Sequence, residues 1–429
     1  MKIILAYSGG LDTSVALRWL IERYDAEVVA YCADIGQPGD MAEVRRRALA
    51  SGAAAVRIED LRDTYIRDHV FPALRANAAY EGRYLMAAPL GRPLIARRLA
   101  EIALEEGAQA VAHGASGKGN DQVRFYTTVI AFAPGLKVIA PLAEWELKSR
   151  DDEIAYANAR GIEIPVTRDR PYSMDGSLWG TSTECGILED PGARPPPDAF
   201  QITTDPELAP DRAEEVTIGF ERGLPVSVDG ERVEPVPLVE RLGELGGRHG
   251  IGRVDIVENS LLGIKTRAIY ECPAGTLLHR AHCELESLVL DRDTLHYKRQ
   301  LEVKYAELVY NGLWFAPLRG SLDAFMADTQ RQVDGVVTLR LYKGNVSVVD
   351  RRSPSALFSY SLSSHDPRDR YDHPAALGFS YVWSMPLRVR AMTFGPAGDD
   401  SPARVGPDHT ADARGVASKG ESGQRAPRR

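Results

Sequence analysis

The chain has 429 residues and a net charge of −8, because 52 Lys and Arg residues face 60 Asp and Glu residues. This balance argues against a protein that binds duplex nucleic acid, which would carry a basic surface. Hydrophobic residues make up 44% of the chain, enough for one large or two ordinary domain cores. No apolar run approaches the ~20 residues of a membrane-spanning helix, so we expect no membrane partner.

The four cysteines give no sign of a metal site or of a disulfide framework. They contain no C-x-x-C pair, and their spacing fits neither zinc coordination nor paired bridges; they are Cys32, Cys185, Cys272 and Cys283. An apolar run begins at Lys2, which leaves no room for a signal peptide. We therefore expect reduced thiols, no metal bound by protein ligands alone, and a cytoplasmic protein.

Residues 1–165 alternate between strand and helix signals, which predicts an α/β fold with a parallel sheet covered by helices on both faces. The predicted strands are Ile3–Tyr7, Glu27–Asp34, Ala54–Ile58, Ala108–His113 and Lys137–Ala140. The predicted helices are Ser14–Tyr24, Met41–Ala50, Asp63–Ala76, Pro93–Glu106 and Ser149–Arg160. Ligands of such sheets bind beyond the carboxyl ends of the strands, and we expect the site there.

The segment A-Y-S-G-G-L-D-T-S, residues 6–14, follows the first predicted strand and opens the first helix. Gly9 and Gly10 permit a tight turn, and Ser8, Thr13 and Ser14 add hydroxyl groups at the positive end of the helix dipole. The segment has neither the lysine of a Walker A loop nor the G-x-G-x-x-G of a dinucleotide fold. It predicts a phosphate-binding turn; the alternative is an ordinary serine-capped helix start.

A second cluster, H-G-A-S-G-K-G-N-D-Q-V-R-F at residues 113–125, also follows a strand and opens a helix. Asn120, Asp121 and Arg124 could lie on neighbouring turns and face one ligand. Asp121 can bind an ammonium group, and Arg124 can bind a carboxylate through two hydrogen bonds. This combination suits an amino acid. The alternative is a solvated glycine loop.

The rest of the chain predicts a mixed α+β domain after an irregular stretch at Asp169–Asp198. Two hairpins are expected, Val216–Glu221 with Pro225–Val228, and Val336–Tyr342 with Asn345–Val349. The predicted helices are Leu238–Arg248, Gly275–Asp291, Asp293–Tyr310 and Ser321–Val333. Residues 395–429 contain almost no large apolar side chain, which predicts a disordered tail.

Three further stretches are residues 84–96, 172–184 and 257–271. Considered singly, each is interpreted as a surface loop or an ordinary fold segment. Together with A-Y-S-G-G-L-D-T-S, H-G-A-S-G-K-G-N-D-Q-V-R-F and V-E-N-S-L-L-G-I-K-T-R, they resemble the argininosuccinate synthase family of the N-type ATP pyrophosphatases. The resemblance runs in order from Met1 to about Ala391. It implies an adenine nucleotide α-hydrolase-like domain over 1–165, a synthetase and multimerisation domain over 166–370, and an oligomerisation helix over 371–394, ahead of the tail.

The resemblance also implies three groups of binding residues. The ATP site falls on Ala6, Tyr7, Ser8, Gly9, Gly10, Leu11, Asp12, Thr13, Ser14, Ala33 and Gly114. The aspartate site falls on Ser116, Asn120 and Asp121. The citrulline site falls on Tyr84, Asn120, Arg124, Ser173, Ser182, Glu258 and Tyr270. Within the loop, Ser8, Thr13 and Ser14 are expected to be catalytic by stabilising the departing pyrophosphate, and Asp12 by organising the loop or the metal.

The implied reaction is an ATP-dependent ligation of citrulline and aspartate through citrullyl-AMP, giving argininosuccinate, AMP and pyrophosphate. The implied cofactors are ATP and a Mg²⁺ ion that bridges the phosphates. The implied partners are small-molecule substrates and further copies of the chain in a homotetramer, and no nucleic acid.

The chain departs from the family pattern on the amino-acid side. The family has Y-P-L-G-T-S-L-A-R-P where this chain has Y-L-M-A-A-P-L-G-R-P, so Ala88 and Pro89 replace a threonine and a serine. An acidic residue of the family is Tyr126 here. Two alternatives therefore stay open at this point: a paralogue that adenylates a different ureido compound in specialised metabolism, and a catalytically silent nucleotide-binding protein.

Overall fold

A computed structural model describes residues 1–163, 172–366 and 368–398. It divides into a first unit, Met1–Phe358, and a second unit that begins at Ser359. The predicted domain boundary between residues 165 and 166, and the predicted disordered tail from residue 399 onward, lie outside the described residues. No helix among the described residues is long and apolar enough to cross a membrane.

Five parallel strands form the first sheet, in the order β3-β2-β1-β4-β5. The strands are β1 Lys2–Ala6, β2 Glu27–Asp34, β3 Ala55–Asp60, β4 Ala110–His113 and β5 Lys137–Ile139. The chain leaves β1 toward β2 and β3 on one side and reaches β4 and β5 on the other. The carboxyl ends of β1 and β4 therefore form a topological switch point, where α/β sheets bind ligands.

Helices cover both faces of this sheet, which confirms the predicted fold class. On one face Leu5 packs with Leu17 and Val44; on the other Ile4 packs with Leu99. The helices of this region are α1 Leu11–Tyr24, α2 Met41–Ala50, α3 Arg62–Tyr65, α4 Phe71–Arg75, α5 Ala87–Glu105, α6 Asn120–Phe132, α7 Pro141–Glu144 and α8 Arg150–Ala159. Successive strand residues point to opposite faces, so one buried strand supplies both layers.

The predicted start of the fourth helix at Pro93 is wrong, because α5 begins at Ala87. Met86, in the left-handed conformation with φ 60°, precedes the helix, and Pro89 occupies its first turn. The first four N–H groups of a helix have no partner within the helix, so Pro89 costs no hydrogen bond there. Pro93 instead lies inside the helix.

Two other helix predictions need correction. Helix α1 begins at Leu11 rather than at Ser14, with Gly10 as an extended N-cap residue. The single helix predicted at Asp63–Ala76 is interrupted by a π-helical turn at Ile66–Val70. The first correction shortens the loop after β1 and places Thr13 and Ser14 in the first helical turn.

The irregular stretch predicted at Asp169–Asp198 is wrong where the structure describes a hairpin, β6 Ser173–Ser177 with β7 Gly180–Glu184. The hairpin joins a four-stranded sheet of order β11-β12-β7-β6, with β11 Arg253–Asn259 and β12 Lys265–Glu271. Its Gly and Asp residues give the segment a low strand propensity, since both residue types are depleted in strands. Pairing with β12 overrides the local preference.

The other elements of the mixed domain follow their predictions. Both predicted hairpins are present within a five-stranded sheet of order β10-β9-β8-β13-β14. Its strands are β8 Glu214–Glu221, β9 Leu224–Val228, β10 Glu231–Arg232, β13 Gly335–Tyr342 and β14 Asn345–Arg352. The four predicted helices are α9 Pro235–Arg248, α10 Pro273–Val289, α11 Arg292–Tyr310 and α12 Pro317–Thr329. Three of them begin on a proline, which is preorganised for the first helical position.

The second unit contains three helices among its described residues, α13 Tyr360–Ser363, α14 His373–Trp383 and α15 Met385–Phe394. The segment predicted as one helix over 371–394 is therefore helical, with a break at Ser384. Phe379 and Trp383 stack within α14, with ring centroids 5.5 Å apart. Its role in oligomerisation stays a prediction.

Acid is expected to destabilise the first unit through His69. This ring is buried and stacked on Trp314, with centroids 4.6 Å apart, and burial together with Arg319 and Arg97 lowers the pKa of His69 to about 3. The unfolded chain, with a His pKa of about 6.5, takes up the proton first as the pH falls, so stability is present above about pH 6.5 and is lost toward about pH 3.

The test is urea unfolding of wild type and His69→Phe, which keeps a stacking ring but cannot titrate. Between pH 7 and pH 4 the free energy of unfolding of the variant should fall by about 3 kcal/mol less than that of wild type. Equal losses in the two proteins would contradict this account.

Candidate active site

The turn between β1 and α1 exposes the N-terminus of a helix. Gly9 has φ +79°, and a Cβ there would lie 3.1 Å from Val44, so the position suits only glycine. The hydroxyls of Ser8 and Thr13 lie 3.1 Å apart across the turn. Within the described parts of the chain no side chain caps α1, so the N–H groups of its first turn are available to an anion.

Residues behind the turn hold it in place. The buried hydroxyl of Ser14 lies 2.9 Å from that of Tyr7, and Arg47 of α2 donates to the carbonyl of Gly9 at 3.3 Å. Burial and the neighbouring carboxylate of Asp12 raise the pKa of Glu153 to about 8. Two acidic groups thus face each other beside the turn, an arrangement that a cation would relieve.

A cavity of about 220 Å³ lies beyond the carboxyl ends of β1, β2 and β4. Its wall includes six of the predicted ATP residues, Ala6, Tyr7, Ser8, Thr13, Ala33 and Gly114. The other predicted ATP residues, Gly9, Gly10, Leu11, Asp12 and Ser14, lie in the adjoining turn and first helical turn. A Cβ on Gly114 would lie 2.6 Å from Cγ2 of Thr13, so only glycine fits between the two segments.

Asp121 joins this cavity to a second group of predicted residues. Its carboxylate accepts hydrogen bonds from Arg92 Nε at 2.6 Å and from Arg124 Nη1 at 2.8 Å. Arg92 also donates to Asp175, so one guanidinium bridges two carboxylates. Burial alone would raise the pKa of Asp121, but Arg92 and Arg124 outweigh it and lower that pKa to about 2. Asp121 is therefore an anion at neutral pH.

Arg124 is almost fully buried, and part of its guanidinium group is available to a ligand. Its Nε donates to the carbonyl of Tyr310 at 2.9 Å, and its side chain is 4% exposed. Among the described residues its Nη2 has no hydrogen-bond partner. A buried N–H group without a partner is costly, so this position favours an incoming acceptor such as a carboxylate.

Glu258 presents the complementary group. Its Oε1 accepts from the hydroxyl of Tyr310 at 2.6 Å, while Oε2 has no partner within the described part of the chain. Burial raises the pKa of Glu258, opposed by the hydroxyls of Tyr310 and Tyr270 and by Arg124. The buried, unpartnered Nη2 of Arg124 and Oε2 of Glu258 match the two charged groups of an α-amino acid.

The four-stranded sheet supplies the other citrulline positions. Ser182 lies opposite Tyr270 in the β7–β12 register, and the ring of Tyr270 stacks on Tyr84 with centroids 3.6 Å apart. Ser182 also lines a small cleft with Ala88, Arg92 and Asp175. Ser173 is different, because it is exposed at the start of edge strand β6.

Of the three residues predicted to bind aspartate, one lies in an exposed loop and two lie in the site. Ser116 is exposed in the loop before α6. Asn120 is tied to the second half of the unit: its amide donates to the hydroxyl of Tyr310 at 2.9 Å, and its carbonyl oxygen accepts from the N–H of Leu261 at 2.8 Å. Asp121 lies next to it in the cavity wall.

Sequence reasoning named none of Arg92, Asp175, Glu153, Arg47 or Tyr310 as a site residue. Arg92 and Asp175 fall inside stretches that the sequence singles out, so their charges were a usable signal. Glu153 and Arg47 sit on predicted helices with ordinary charged patterns. Tyr310 ends a predicted helix, and nothing in the local pattern distinguishes it.

The family models match nearly all of the described chain. The model described as the arginosuccinate synthase N-terminal HUP domain matches residues 2–163, and the one described as the arginosuccinate synthase C-terminal domain matches residues 172–390. The chain belongs to the argininosuccinate synthase family. It is therefore a ligase that uses ATP, as members of this family are.

Named relatives agree with this assignment over nearly their whole length. The argininosuccinate synthase of Rhodococcoides fascians is 53% identical over 394 residues, which cover 92% of this chain and 100% of that protein. The argininosuccinate synthase of Pelotomaculum thermopropionicum is 53% identical over 397 residues, with coverage of 92% and 99%.

Similar solved structures cover less of the chain and carry no weight in the family assignment. A predicted tRNA methyltransferase subunit from Methanocaldococcus jannaschii has a TM-score of 0.26 and 11% identity over 41% of this chain and 79% of that one. A 4-thiouridine synthetase in complex with RNA and ATP has a TM-score of 0.28 and 18% identity, covering 38% and 41%.

Proposed function

We propose that the protein catalyses the argininosuccinate synthase reaction, in which citrulline and aspartate are joined at the expense of ATP through citrullyl-AMP. The observation that carries this proposal is a pair of buried charged atoms, Nη2 of Arg124 and Oε2 of Glu258, that have no partner among the described residues. They lie in the same unit as the β1–α1 turn. The high identity to named synthases favours this reaction over a silent nucleotide-binding role or a different ureido substrate.

The ATP site is proposed at the cavity beside the β1–α1 turn. The turn and the N-terminus of α1 would hold the phosphates, with the hydroxyls of Ser8 and Thr13 donating to the departing pyrophosphate. Ser14 would act through Tyr7, which it contacts at 2.9 Å. Apolar wall residues such as Ile95 would accommodate the adenine.

We propose that Mg²⁺ serves as a cofactor, and it would neutralise negative charge on the leaving pyrophosphate. The facing carboxyl groups of Asp12 and Glu153 fit this role, since they supply oxygen ligands and negative charge beside the turn. Among the residues that the structure describes, no three acidic, His or Cys side chains are grouped to hold a metal. The ion would therefore depend on the nucleotide for most of its ligands.

The amino-acid sites are proposed on the far side of Asp121. Arg124 would hold the citrulline carboxylate and Glu258 its ammonium group, with hydroxyl and amide contacts from Tyr84, Asn120, Ser173, Ser182 and Tyr270. Aspartate would bind at Ser116, Asn120 and Asp121. The carboxylate of Asp121, fixed by two guanidiniums, would orient the ammonium group of aspartate.

The proposed chemistry has two displacement steps. The ureido oxygen of citrulline attacks the α-phosphorus of ATP, and the bond to the β-phosphate oxygen breaks to release pyrophosphate. The deprotonated amine of aspartate then attacks the adenylated carbon, and AMP leaves with the former ureido oxygen. Because the mechanism assigns no protein nucleophile, most of the acceleration would come from positioning and from the donors of the turn.

We also propose a homotetramer in the cytoplasm, with residues 1–165 binding nucleotide, 166–370 serving synthesis and multimerisation, and 371–394 contacting neighbouring subunits. The apolar side chains of α14, which include the stacked Phe379 and Trp383, support this role for 371–394. Size-exclusion chromatography with light scattering of the full chain and of a chain ending at residue 370 would test it.

The experiment that tests the function is pyrophosphate release on mixing the protein with citrulline, aspartate and Mg-ATP. Release should require citrulline and should yield argininosuccinate when aspartate is present. Shorter and longer ureido acids serve as competing substrates. Binding of ATP without release under any ureido acid would indicate a silent protein, and release with another ureido acid alone would indicate a paralogue.

Restoring the two family hydroxyls is expected to improve the use of citrulline. Ala88 and Pro89 lie in the first turn of α5, and Ala88 lines the small cleft with Ser182. The double variant Ala88→Thr/Pro89→Ser should raise kcat/KM for citrulline by roughly 2- to 10-fold, the effect of one added hydrogen bond.

The matched control is Pro317→Ser, which makes the same exchange in the first turn of α12. It should leave kcat/KM for citrulline unchanged. If the double variant also leaves it unchanged, the pocket compensates for the missing hydroxyls elsewhere, and the stated role of these two positions is wrong.

A further inference from the structure

Tyr310, the last residue of α11, contacts three of the predicted amino-acid ligands. Its hydroxyl donates to Oε1 of Glu258 at 2.6 Å and accepts from Nδ2 of Asn120 at 2.9 Å. Its carbonyl oxygen accepts from Nε of Arg124 at 2.9 Å. These three partners come from β11 and α6, so one fully buried residue ties together two elements that are far apart in the chain.

The ring of Tyr310 is fixed in place. It stacks on Tyr80, with centroids 3.5 Å apart and ring planes 7° from parallel, and the guanidinium of Arg124 lies 4.9 Å from its centroid. Tyr80 is anchored in turn by a 2.6 Å hydrogen bond from its hydroxyl to the carbonyl of Asn259. A ring that is stacked on another ring and lies under a guanidinium keeps its hydroxyl in one position.

The hydrogen bonds of Tyr310 run in one direction. An amide N–H can only donate, so Asn120 donates to the hydroxyl, and the single proton of that hydroxyl is then given to Glu258. These two hydrogen bonds occupy Oε1 of Glu258 and leave Oε2 without a partner among the described residues. The backbone carbonyl of Tyr310 likewise occupies Nε of Arg124, while Nη2 stays unpartnered.

We propose that Tyr310 is a positioning residue of the amino-acid site. It determines which carboxylate oxygen of Glu258 and which guanidinium nitrogen of Arg124 remain available to the substrate. The inference rests on the proposed function, because it assigns Glu258 and Arg124 to the citrulline site. Tyr310 itself touches neither reacting atom in this account. It acts through the carboxylate and the guanidinium that it holds.

A positioning role of Tyr310 should change the pKa of Glu258, an effect that a packing role alone would not produce. The groups that face Glu258 are Tyr310 on α11, Tyr270 on β12, Arg124 on α6, Glu184 on β7, and Tyr80, Glu81 and Tyr84 before α5. Burial raises the pKa of Glu258, and the hydrogen bond from Tyr310 is the largest opposing effect. Without that donor the pKa of Glu258 rises further, so citrulline binding is lost at a higher pH as acid is added.

The test compares Tyr310→Phe with Tyr305→Phe by steady-state pyrophosphate release. Tyr305→Phe makes the same change on the same helix, where the buried hydroxyl bonds to Asp323 at 2.6 Å. Tyr310→Phe should raise KM for citrulline by roughly tenfold, as expected for one charge-assisted hydrogen bond, and leave KM for ATP within about twofold. The acidic limb of kcat/KM should move to higher pH in this variant alone.

Equal changes in the KM of citrulline and of ATP, or an unmoved acidic limb, would overturn the proposal. A double variant adds a check that does not depend on perfect folding: Tyr310→Phe should cost little further activity in a Glu258→Gln background, and a full additional loss would count against it.

A substrate-free measurement separates this inference from the proposed function. If wild type releases no pyrophosphate with citrulline, the proposed function fails. ¹³C-carboxyl NMR of the full ligand-free chain, with Glu258→Gln to assign the signal, then reads the pKa of Glu258 directly. A higher pKa of Glu258 in Tyr310→Phe than in wild type supports the positioning role, and an unchanged pKa overturns it.

Discussion

Replacement of Arg124 by Met should lower kcat/KM for citrulline by roughly 10²- to 10³-fold, because it removes the protein's partner from the proposed buried charge pair with the citrulline carboxylate. Asp121 would lose one of its two guanidinium partners, and the carbonyl of Tyr310 would lose its donor. The citrulline carboxylate would lose its proposed cation as well. Methionine keeps most of the length and apolar bulk of the side chain, so the change removes charge rather than volume.

The matched control is Arg319→Met on α12. Arg319 is also largely buried, with its side chain 14% exposed; it pairs with Asp323 and lies 4.1 Å from the ring centroid of Trp314. This variant should lose stability without a change in KM for citrulline. Steady-state kinetics with thermal unfolding of both variants makes the comparison, and equal losses of kcat/KM would show that Arg124 has only a structural role.

Replacement of Gly114 by Ala should lower kcat/KM for ATP by roughly 5- to 150-fold, the cost of overpacking a close contact. The new Cβ would lie 2.6 Å from Cγ2 of Thr13. Thr13 would have to move away from Ser8, whose hydroxyl lies 3.1 Å from its own. The expected damage falls on the pyrophosphate side of the cavity, so KM for citrulline should change little.

A second substitution tests whether the clash itself is the cause. Thr13→Ser removes Cγ2 and keeps the hydroxyl, so Gly114→Ala/Thr13→Ser should recover much of the lost activity. Gly135→Ala is the control, because a Cβ there meets no heavy atom within 4 Å. ATP kinetics at saturating citrulline and aspartate measures the effect. A Gly114→Ala variant with wild-type ATP kinetics would contradict the proposed location of the nucleotide.

The parallel sheet could be predicted from the sequence because its signals are local. Strands such as Glu27–Asp34 are continuous apolar runs buried on both faces, and each is followed by a turn and an amphipathic helix. Helix starts were less accurate, since Leu11 and Ala87 begin helices without a capping side chain. The β6–β7 hairpin could not be predicted, because pairing with β12, a strand distant in the sequence, stabilises it.

The candidate site was predictable where its residues sit in one short segment and not where distant segments meet. The β1–α1 turn is contiguous, so its glycines and hydroxyls were recognisable together. The bridge from Arg92 to Asp175 spans 83 positions, and the contact between Asn120 and Tyr310 spans 190. Which polar atoms remain unpartnered depends on such long-range contacts, and no local pattern encodes it.

The central claim is that the ureido oxygen of citrulline attacks the α-phosphate of ATP. Turnover of citrulline labelled with ¹⁸O in the ureido group, in the presence of aspartate and Mg-ATP, tests it directly by mass spectrometry of the AMP. The account predicts that each AMP carries the label in its phosphate group and that the pyrophosphate carries none. Unlabelled AMP released together with argininosuccinate would contradict it.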